Sequence, residues 1–122
     1  MRTIEEQNAL YAKGRTTPGP IVTKAKGGSS FHNYGLAFDI CWLIEQGDGT
    51  YVYDPTKSWN FGPNYKKVVE LLKAAGYIWG GDFKSIKDTP HFEKTFGFSW
   101  RELYRRYLGK RFRDDGYIDL EK

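Results

Sequence analysis

One carboxylate stands in the middle of an apolar run, and it limits how this chain can fold. Asp39 lies within Leu36–Ile44, where nearly all other residues are apolar, and the run predicts a strand buried on both faces. Gly35 permits the turn that leads into this strand. A buried carboxylate without a partner costs several kcal/mol. The fold must therefore bring a cation to Asp39, and an arginine, a lysine and a metal ion are all candidates.

Both histidines of the chain occur in short polar motifs that also contain an aspartate. His32 stands seven residues before Asp39, and His91 follows Asp88 by three residues. Two imidazoles and one carboxylate are the ligand set that leaves one position open on a zinc ion. Pro90 favours an extended backbone around Asp88 and His91, so this segment is not expected to be a helix. Asp88 is suited to proton transfer beside a metal, but a turn or capping carboxylate also explains it.

Size and composition indicate one small domain. The chain has 122 residues, which suffice for a single core of modest size, and we expect one domain over residues 1–122. Aromatic residues make up 17% of the chain, which predicts a core rich in rings and some rings in a binding cleft. Cys41 is the one cysteine, so an intrachain disulfide is excluded. We expect neither a signal peptide nor membrane insertion, because no apolar run is long enough.

The basic bias of the chain has two interpretations. A net charge of +4 fits solubility alone, and it also fits attraction to a polyanion such as nucleic acid or an anionic bacterial wall. Basic residues cluster on a predicted helix and the loop after it: Arg101, Arg105, Arg106, Lys110, Arg111 and Arg113. No nucleic-acid recognition motif accompanies the cluster, so we interpret it as a solvated face and expect no nucleic-acid partner.

Local patterns predict three helices. Thr3 with Glu6 and Ser99 with Glu102 form two capping boxes, which open helices over Ile4–Lys13 and from Ser99 to Leu108. An amphipathic pattern predicts a third helix over Tyr65–Ala75.

Short strands are expected between and after these helices. They are Ile21–Thr23, Leu36–Ile44, Thr50–Tyr53, Tyr77–Trp79, Pro90–Lys94 and an edge strand within Asp115–Leu120. The turn Gln46–Gly49 pairs its two flanking strands antiparallel. The order of elements predicts an α+β fold with a small, largely antiparallel sheet and peripheral helices.

The combination of motifs resembles a known family. The motifs are Ser30-x-His32-x-x-Gly35-x-Ala37-x-Asp39, then Trp79-Gly80-Gly81-Asp82-Phe83, and Asp88-x-Pro90-His91-Phe92. Their order and spacing are similar to those of the zinc peptidases of peptidoglycan. That family includes VanX-type D-Ala-D-Ala dipeptidases, VanY-type carboxypeptidases, and the L-alanyl-D-glutamate endopeptidases of phage endolysins and Bacillus autolysins. The similarity is greatest to the endopeptidases and covers nearly the whole chain. It implies a Hedgehog/DD-peptidase-like fold with a zinc site in its cleft.

The resemblance implies roles for individual residues. His32, Asp39 and His91 correspond to the family's zinc ligands and Asp88 to its catalytic base. Ser30 corresponds to a serine near the substrate.

Arg2 corresponds to an arginine that helps to polarise the scissile carbonyl. The sequence departs from the family here, because only Met1 precedes Arg2 and relatives have a further N-terminal segment with a helix. We therefore expect a catalytic domain that lacks this segment and a weakly held Arg2.

Four aromatic residues are candidates for the walls of the substrate cleft: Tyr34, Trp79, Phe83 and Phe92. Each of them also suits a position in the core.

The implied activity is zinc-dependent hydrolysis of the stem peptide of bacterial peptidoglycan between L-Ala and D-Glu. Within the family, this bond is favoured by an aspartate, and not a glutamate, three residues before His91, and by the run Trp79–Asp82. The alternatives are a D-Ala-D-Ala carboxypeptidase or dipeptidase and a zinc-stabilised binding domain without catalysis. Action on the cell wall implies release from the cytoplasm during phage lysis, or export by a route that the sequence does not encode. Phage or bacterial origin and the oligomeric state stay open.

Overall fold

A computed structural model describes residues 1–121, and the chain divides into two compact units. The first unit contains Met1–Ala37 and the chain from Thr95 onward, and the second contains Phe38–Lys94. The helices are α1 (Ile4–Ala12), α2 (Tyr65–Ala74) and α3 (Trp100–Leu108). The strands are β1 (Ala37–Asp39), β2 (Ile44–Glu45), β3 (Tyr51–Val52), β4 (Ile78–Trp79) and β5 (His91–Glu93). Helices and a small antiparallel sheet confirm the predicted α+β class. In residues 1–121, no helix is long and apolar enough to cross a membrane.

Both predicted capping boxes are present in the first unit. The Thr3 hydroxyl accepts a hydrogen bond from the Glu6 N–H, and the Glu6 carboxylate accepts one from the Thr3 N–H. Ser99 and Glu102 make the same reciprocal pair at the start of α3. These bonds satisfy N–H groups that the first turn of a helix leaves without partners. The core of this unit consists of Tyr34, Phe98, Leu103 and Ile118.

The second unit contains a three-stranded sheet in the order β1-β5-β4 and a separate hairpin of β2 and β3. Strands β4 and β5 are antiparallel, with Trp79 opposite Phe92. The predicted hairpin is confirmed, and its register pairs Ile44 with Val52. Helix α2 places Tyr65 and Val69 against Phe92 in a core that is rich in aromatic rings, as the composition predicts.

The prediction of one buried strand over Leu36–Ile44 is wrong. The run forms β1 and then β2, because the main chain leaves the sheet between them: the Ile40 N–H still bonds beside β5, to the Pro90 carbonyl, but the Trp42 N–H donates to the Ser58 carbonyl. As a result Leu43 is 60% exposed and the side chain of Asp39 is 31% exposed. Asp39 is therefore a partly exposed carboxylate at the end of a short strand.

Two further predicted strands are absent from the described residues. Ile21–Thr23 has no ladder partner, and Ile21 and Val22 are more than half exposed. The C-terminal tail makes a single antiparallel bridge between Phe112 and Ile118. Ile118 is buried in the core of the first unit, so the tail contributes to packing and does not extend a sheet.

Candidate metal centre

A short 3-10 helix, Phe31–Tyr34, carries His32. The hydroxyl of Ser30 accepts a hydrogen bond from the His32 N–H at 3.3 Å and caps this turn. Gly35 ends the turn in the left-handed region with φ of 72°, where a side chain is strained. The predicted turn into β1 is confirmed. Local sequence thus determines the backbone on which His32 stands.

The His32 turn also binds the N-terminal residues of the chain. The side-chain amide of Asn33 donates to the Arg2 carbonyl at 3.1 Å, and the Arg2 N–H donates to the His32 carbonyl at 3.0 Å. The guanidinium of Arg2 donates to the side-chain carbonyl of Gln7 at 2.9 Å, and Gln7 is completely buried. The expectation that Arg2 is weakly held is therefore wrong, because a buried amide and the His32 turn both fix it.

The segment before His91 is a turn over residues 88–91 that lies against Gly80, so the expected extended backbone is wrong, although the segment is not a helix. The Asp88 N–H donates to the Gly80 carbonyl at 2.9 Å, and the His91 N–H donates to the Asp88 carbonyl at 3.1 Å. A Cβ atom on Gly80 would collide with the Asp88 carbonyl oxygen and lie 2.9 Å from the Cβ of His91. The first glycine of the Trp79–Asp82 run is thus needed for close approach of the Asp88 backbone.

Two aromatic side chains bind a single carbonyl in this segment. The hydroxyl of Tyr65, from α2, donates to the Thr89 carbonyl at 2.6 Å, and the indole N–H of Trp79 donates to the same oxygen at 2.8 Å. Thr89 lies between Asp88 and His91 in sequence. Tyr65 and Trp79 therefore help to fix the backbone that presents both residues.

A glutamate that the sequence analysis missed orients the His91 ring. Glu93 and His91 are 8% and 6% exposed, and their Oε1 and Nε2 atoms are 2.8 Å apart. Nδ1 of the same ring lies 3.5 Å from Asp39 Oδ1 and 3.8 Å from Asp88 Oδ2. With Nε2 bound to Glu93, Nδ1 is the nitrogen available to a metal. The signal for this contact in the sequence is the spacing His91-x-Glu93, since alternate residues of a strand share a face.

The surroundings of His91 are strongly negative. Burial acts to lower the pKa of His91, but hydrogen bonds to Asp39 and Glu93, with the charges of Glu93 and Asp88, raise that pKa to about 9. Three carboxylates thus act on one imidazole. Such an arrangement favours a positive charge at this position, which a proton or a divalent metal ion can supply.

Donor atoms from three predicted ligands approach one another. One ligand atom each from His32, Asp39 and His91 lies within 4.8 Å of the other two. Zinc bonds of 2.0–2.2 Å place tetrahedral ligands roughly 3.4 Å apart. The 3.5 Å separation of the His91 and Asp39 donor atoms is close to that spacing. Two nitrogens and one carboxylate oxygen are also a donor set that zinc accepts. These residues therefore fit a zinc ion.

Two predicted cleft residues belong to the cores instead. Tyr34 is 2% exposed and its hydroxyl donates to the Gly28 carbonyl, and Phe92 is 0% exposed in the core of the second unit. Neither side chain has surface to offer a substrate, which corrects that expectation. Phe83 is half-buried, and its ring centroid lies 5.6 Å from that of His91.

Several residues of the C-terminal basic cluster bind the C-terminal segment. Arg106 donates to the Asp119 and Glu121 carbonyls at 2.6 and 2.7 Å. Arg111 pairs with Asp119 at 3.3 Å. Part of the cluster is therefore structural and is not a free cationic patch.

Comparisons with known proteins bear on this site. A family model described as D-alanyl-D-alanine carboxypeptidase matches residues 23–94, a span that includes His32, Asp39, Asp88 and His91. The chain is also 45% identical over 94 residues to the peptidoglycan L-alanyl-D-glutamate endopeptidase CwlK of Bacillus subtilis (strain 168). This match covers 75% of the chain and 55% of that relative, so the chain spans about half the length of the curated protein that it matches.

Proposed function

This chain belongs to the peptidase family described as D-alanyl-D-alanine carboxypeptidases, and from that premise we propose that it is a zinc-dependent hydrolase of the peptide in bacterial peptidoglycan. The observation that carries the proposal is the approach of His32, Asp39 and His91 donor atoms to within 4.8 Å of one another. Asp88 beside His91 adds a proton acceptor to this ligand set. The place of action would be the cell wall.

The bond that we propose is the one between L-Ala and D-Glu. It is the bond in the name of a relative that is 45% identical over 94 residues, whereas the family description names D-alanyl-D-alanine. Mass analysis of digested walls separates the two. New amino ends on D-Glu support our choice, and release of D-Ala supports the carboxypeptidase alternative.

The ligands and the base have separate tasks in this proposal. His32, the Nδ1 atom of His91 and the carboxylate of Asp39 would hold zinc, which supplies Lewis acidity and lowers the pKa of water. Asp88 would accept the proton of the attacking water and pass it to the leaving nitrogen. Its side chain is 47% exposed, which leaves it accessible to water and substrate.

Polar side chains of the first unit would assist at the carbonyl. The Arg2 guanidinium, which Gln7 anchors, would stabilise negative charge that develops on the carbonyl oxygen. We propose substrate contacts for Ser30 and Phe83, because both are partly exposed and lie next to or against a proposed ligand. We propose a substrate contact for Trp79 as well, because its side chain is partly exposed and binds the carbonyl of the residue after Asp88.

Replacement of the proposed base tests the mechanism. Asp88→Ala is expected to retain zinc and to lose on the order of 100-fold or more in hydrolysis, the usual contribution of a general base. Asp82→Ala is the matched control, because Asp82 pairs with Lys73 on the surface and is not part of the proposed site. Zinc content, wall turbidity and product masses are measured for each protein.

The outcomes separate three explanations. An Asp88→Ala protein that digests walls at the parent rate would disprove the assignment of the base. A parent protein that binds zinc stoichiometrically but clears no wall suspension would support a zinc-stabilised binding domain. Clearing that a chelator abolishes and zinc restores supports the metallopeptidase.

A further inference from the structure

We infer that an apolar groove of the second unit is a binding subsite for the peptide of the substrate, an inference that rests on the proposed function. The groove has a volume of about 390 Å³, which is within the range of sites for small ligands. Its principal lining residues are Phe61, Gly62, Tyr65, Lys66, Trp79 and Thr89.

The groove adjoins the segment that carries the proposed base. Thr89 lines the groove and is the residue after Asp88. Tyr65 and Trp79, which form its walls, are the two side chains that bind the Thr89 carbonyl. A peptide in the groove therefore lies against the residue that follows Asp88 in sequence.

The chemistry of the walls selects a small aliphatic group. Tyr65 and Trp79 direct their polar atoms to Thr89, so they offer the groove mainly ring surface. Phe61 extends this surface, because its ring stacks on that of Tyr65 with centroids 4.0 Å apart. Ring faces with few free polar atoms suit a methyl-bearing residue better than a charged one.

The edge of the groove carries a positive charge. The Lys66 side chain is 81% exposed, and its ammonium lies 3.9 Å from the Glu70 carboxylate, at the outer limit of an ion pair. Exposed pairs of this kind are weak, so Lys66 can turn to a ligand carboxylate. An apolar floor with a cation at its edge fits a peptide with a methyl side chain next to an acidic residue. L-Ala followed by D-Glu has this composition.

The first test fills the groove without disturbing the fold. Gly62 lines the groove, and a Cβ atom built on it meets nothing within 4 Å. Because Gly62 precedes Pro63, its backbone is expected to be extended, a conformation that leucine also adopts. Gly62→Leu is expected to raise KM for a soluble N-acetyl-L-Ala-D-Glu peptide on the order of tenfold, as loss of an apolar pocket does. Zinc affinity, kcat and Tm should stay at the parent values.

The second test uses two neighbouring lysines of α2. Lys66→Ala is expected to raise KM for the same peptide by about two- to fivefold at low salt, and less at high salt, as for an exposed ion pair. Lys67→Ala is the matched control, because Lys67 is exposed on the same helix and does not line the groove. Its KM should equal that of the parent.

Failure of the groove and failure of the proposed function give different results. If the parent cleaves the peptide and Gly62→Leu leaves KM unchanged, the groove is not a subsite and the function stands. If the parent cleaves nothing, the proposed function fails. Calorimetry with the same peptide then tests the groove alone: binding that Gly62→Leu abolishes supports it, and binding that Gly62→Leu leaves intact, or no binding by the parent, overturns it.

Discussion

The turn that carries His32 is capped and ended by its own residues, whereas the turn that precedes His91 is also held by side chains from other elements. At His32, the hydroxyl of Ser30 caps one helical turn and Gly35 ends it. At His91, two aromatic side chains from other elements bind the preceding Thr89 carbonyl. Both segments contain local hydrogen bonds, and the second is in addition fixed by side chains that are distant in sequence.

This difference affects how each segment responds to substitution. A local turn loses stability when its cap or its glycine changes, and the loss should stay near that turn. The turn before His91 is closed by its own bond from the His91 N–H to the Asp88 carbonyl, but its position against Gly80, Tyr65 and Trp79 depends on contacts from outside. Small displacements there move a catalytic group directly. We therefore expect the largest effects on activity from residues that support the His91 segment.

The largest effect is expected at Gly80. Gly80→Ala places a Cβ atom against the Asp88 backbone and 2.9 Å from the Cβ of His91, so the segment must move. A displacement of about 1 Å costs on the order of 100-fold in rate, and overpacking of this kind costs about 1–3 kcal/mol in stability. Wall digestion and the free energy of unfolding in urea measure the two losses.

Gly62→Ala is the control for Gly80→Ala, since its Cβ has no neighbour within 4 Å. Its free energy of unfolding should match or slightly exceed that of the parent. Normal activity of Gly80→Ala would mean that the His91 segment tolerates displacement, and the contrast between the two histidine segments would lose its basis.

A smaller effect is expected from the carboxylate that orients the His91 ring. Glu93→Ala removes the partner of Nε2 and frees the ring to rotate. Loss of such a partner lowers zinc affinity about 10- to 100-fold. Glu93→Gln keeps an oxygen that accepts from Nε2, and it should recover part of the affinity. Zinc dissociation constants from chelator competition test this, and equal affinities in all three proteins would show that Glu93 does not orient the ligand.

The same contrast explains what the sequence can predict. The capping boxes, the αL glycine at Gly35 and the amphipathic face of α2 depend on neighbours in sequence, and all were predicted. The hairpin of β2 and β3 was predicted for the same reason, because a turn of Gly and Asp residues sets its register. These features need no knowledge of tertiary contacts.

Features that depend on tertiary contacts were missed or mistaken. The apolar run around Asp39 predicts one long strand, but the main chain leaves the sheet after Ile40 and the Trp42 N–H bonds to the Ser58 carbonyl. The support that Glu93 gives to His91 depends on which strand face is buried. Tyr34 and Phe92 are core residues and not cleft residues. The sequence does not separate the two, because an aromatic residue has the same pattern in a core and in a cleft. The roles of the proposed ligands stay a prediction, supported by the approach of their donor atoms.

A moderate effect on stability is expected where the His32 turn meets the N-terminus. Asn33 is 7% exposed, accepts hydrogen bonds from the Gly28 and Ser30 N–H groups, and donates to the Arg2 carbonyl. Asn33→Ala leaves these buried groups without a partner, at a cost of about 1–3 kcal/mol. Ser30→Ala removes the local cap alone and should cost about 1 kcal/mol. Urea unfolding of the metal-free proteins gives both values. A loss for Ser30→Ala that equals that of Asn33→Ala would show that the turn needs no contact with residues distant in sequence.

The smallest effect is expected from the local cap of α3, and it depends on pH. Hydrogen bonds from the Ser99 N–H and hydroxyl hold the pKa of Glu102 below its ordinary value. A carboxyl whose pKa is lower in the folded state stabilises the fold above its unfolded pKa, and this stabilisation is lost as pH falls through the folded pKa. Glu102→Gln keeps a capping box but removes the charge. Its Tm should therefore lie slightly below that of the parent at pH 6, and the gap should close near pH 3.

In a Ser99→Ala background the same substitution should give a smaller gap at pH 6, since the donors that favour the carboxylate are reduced to the backbone N–H. A gap in Tm that is equally large at both pH values would mean that Glu102 acts through packing and not through its charge. The capping box of Ser99 and Glu102 would then depend on contacts outside the box, as the His91 segment does.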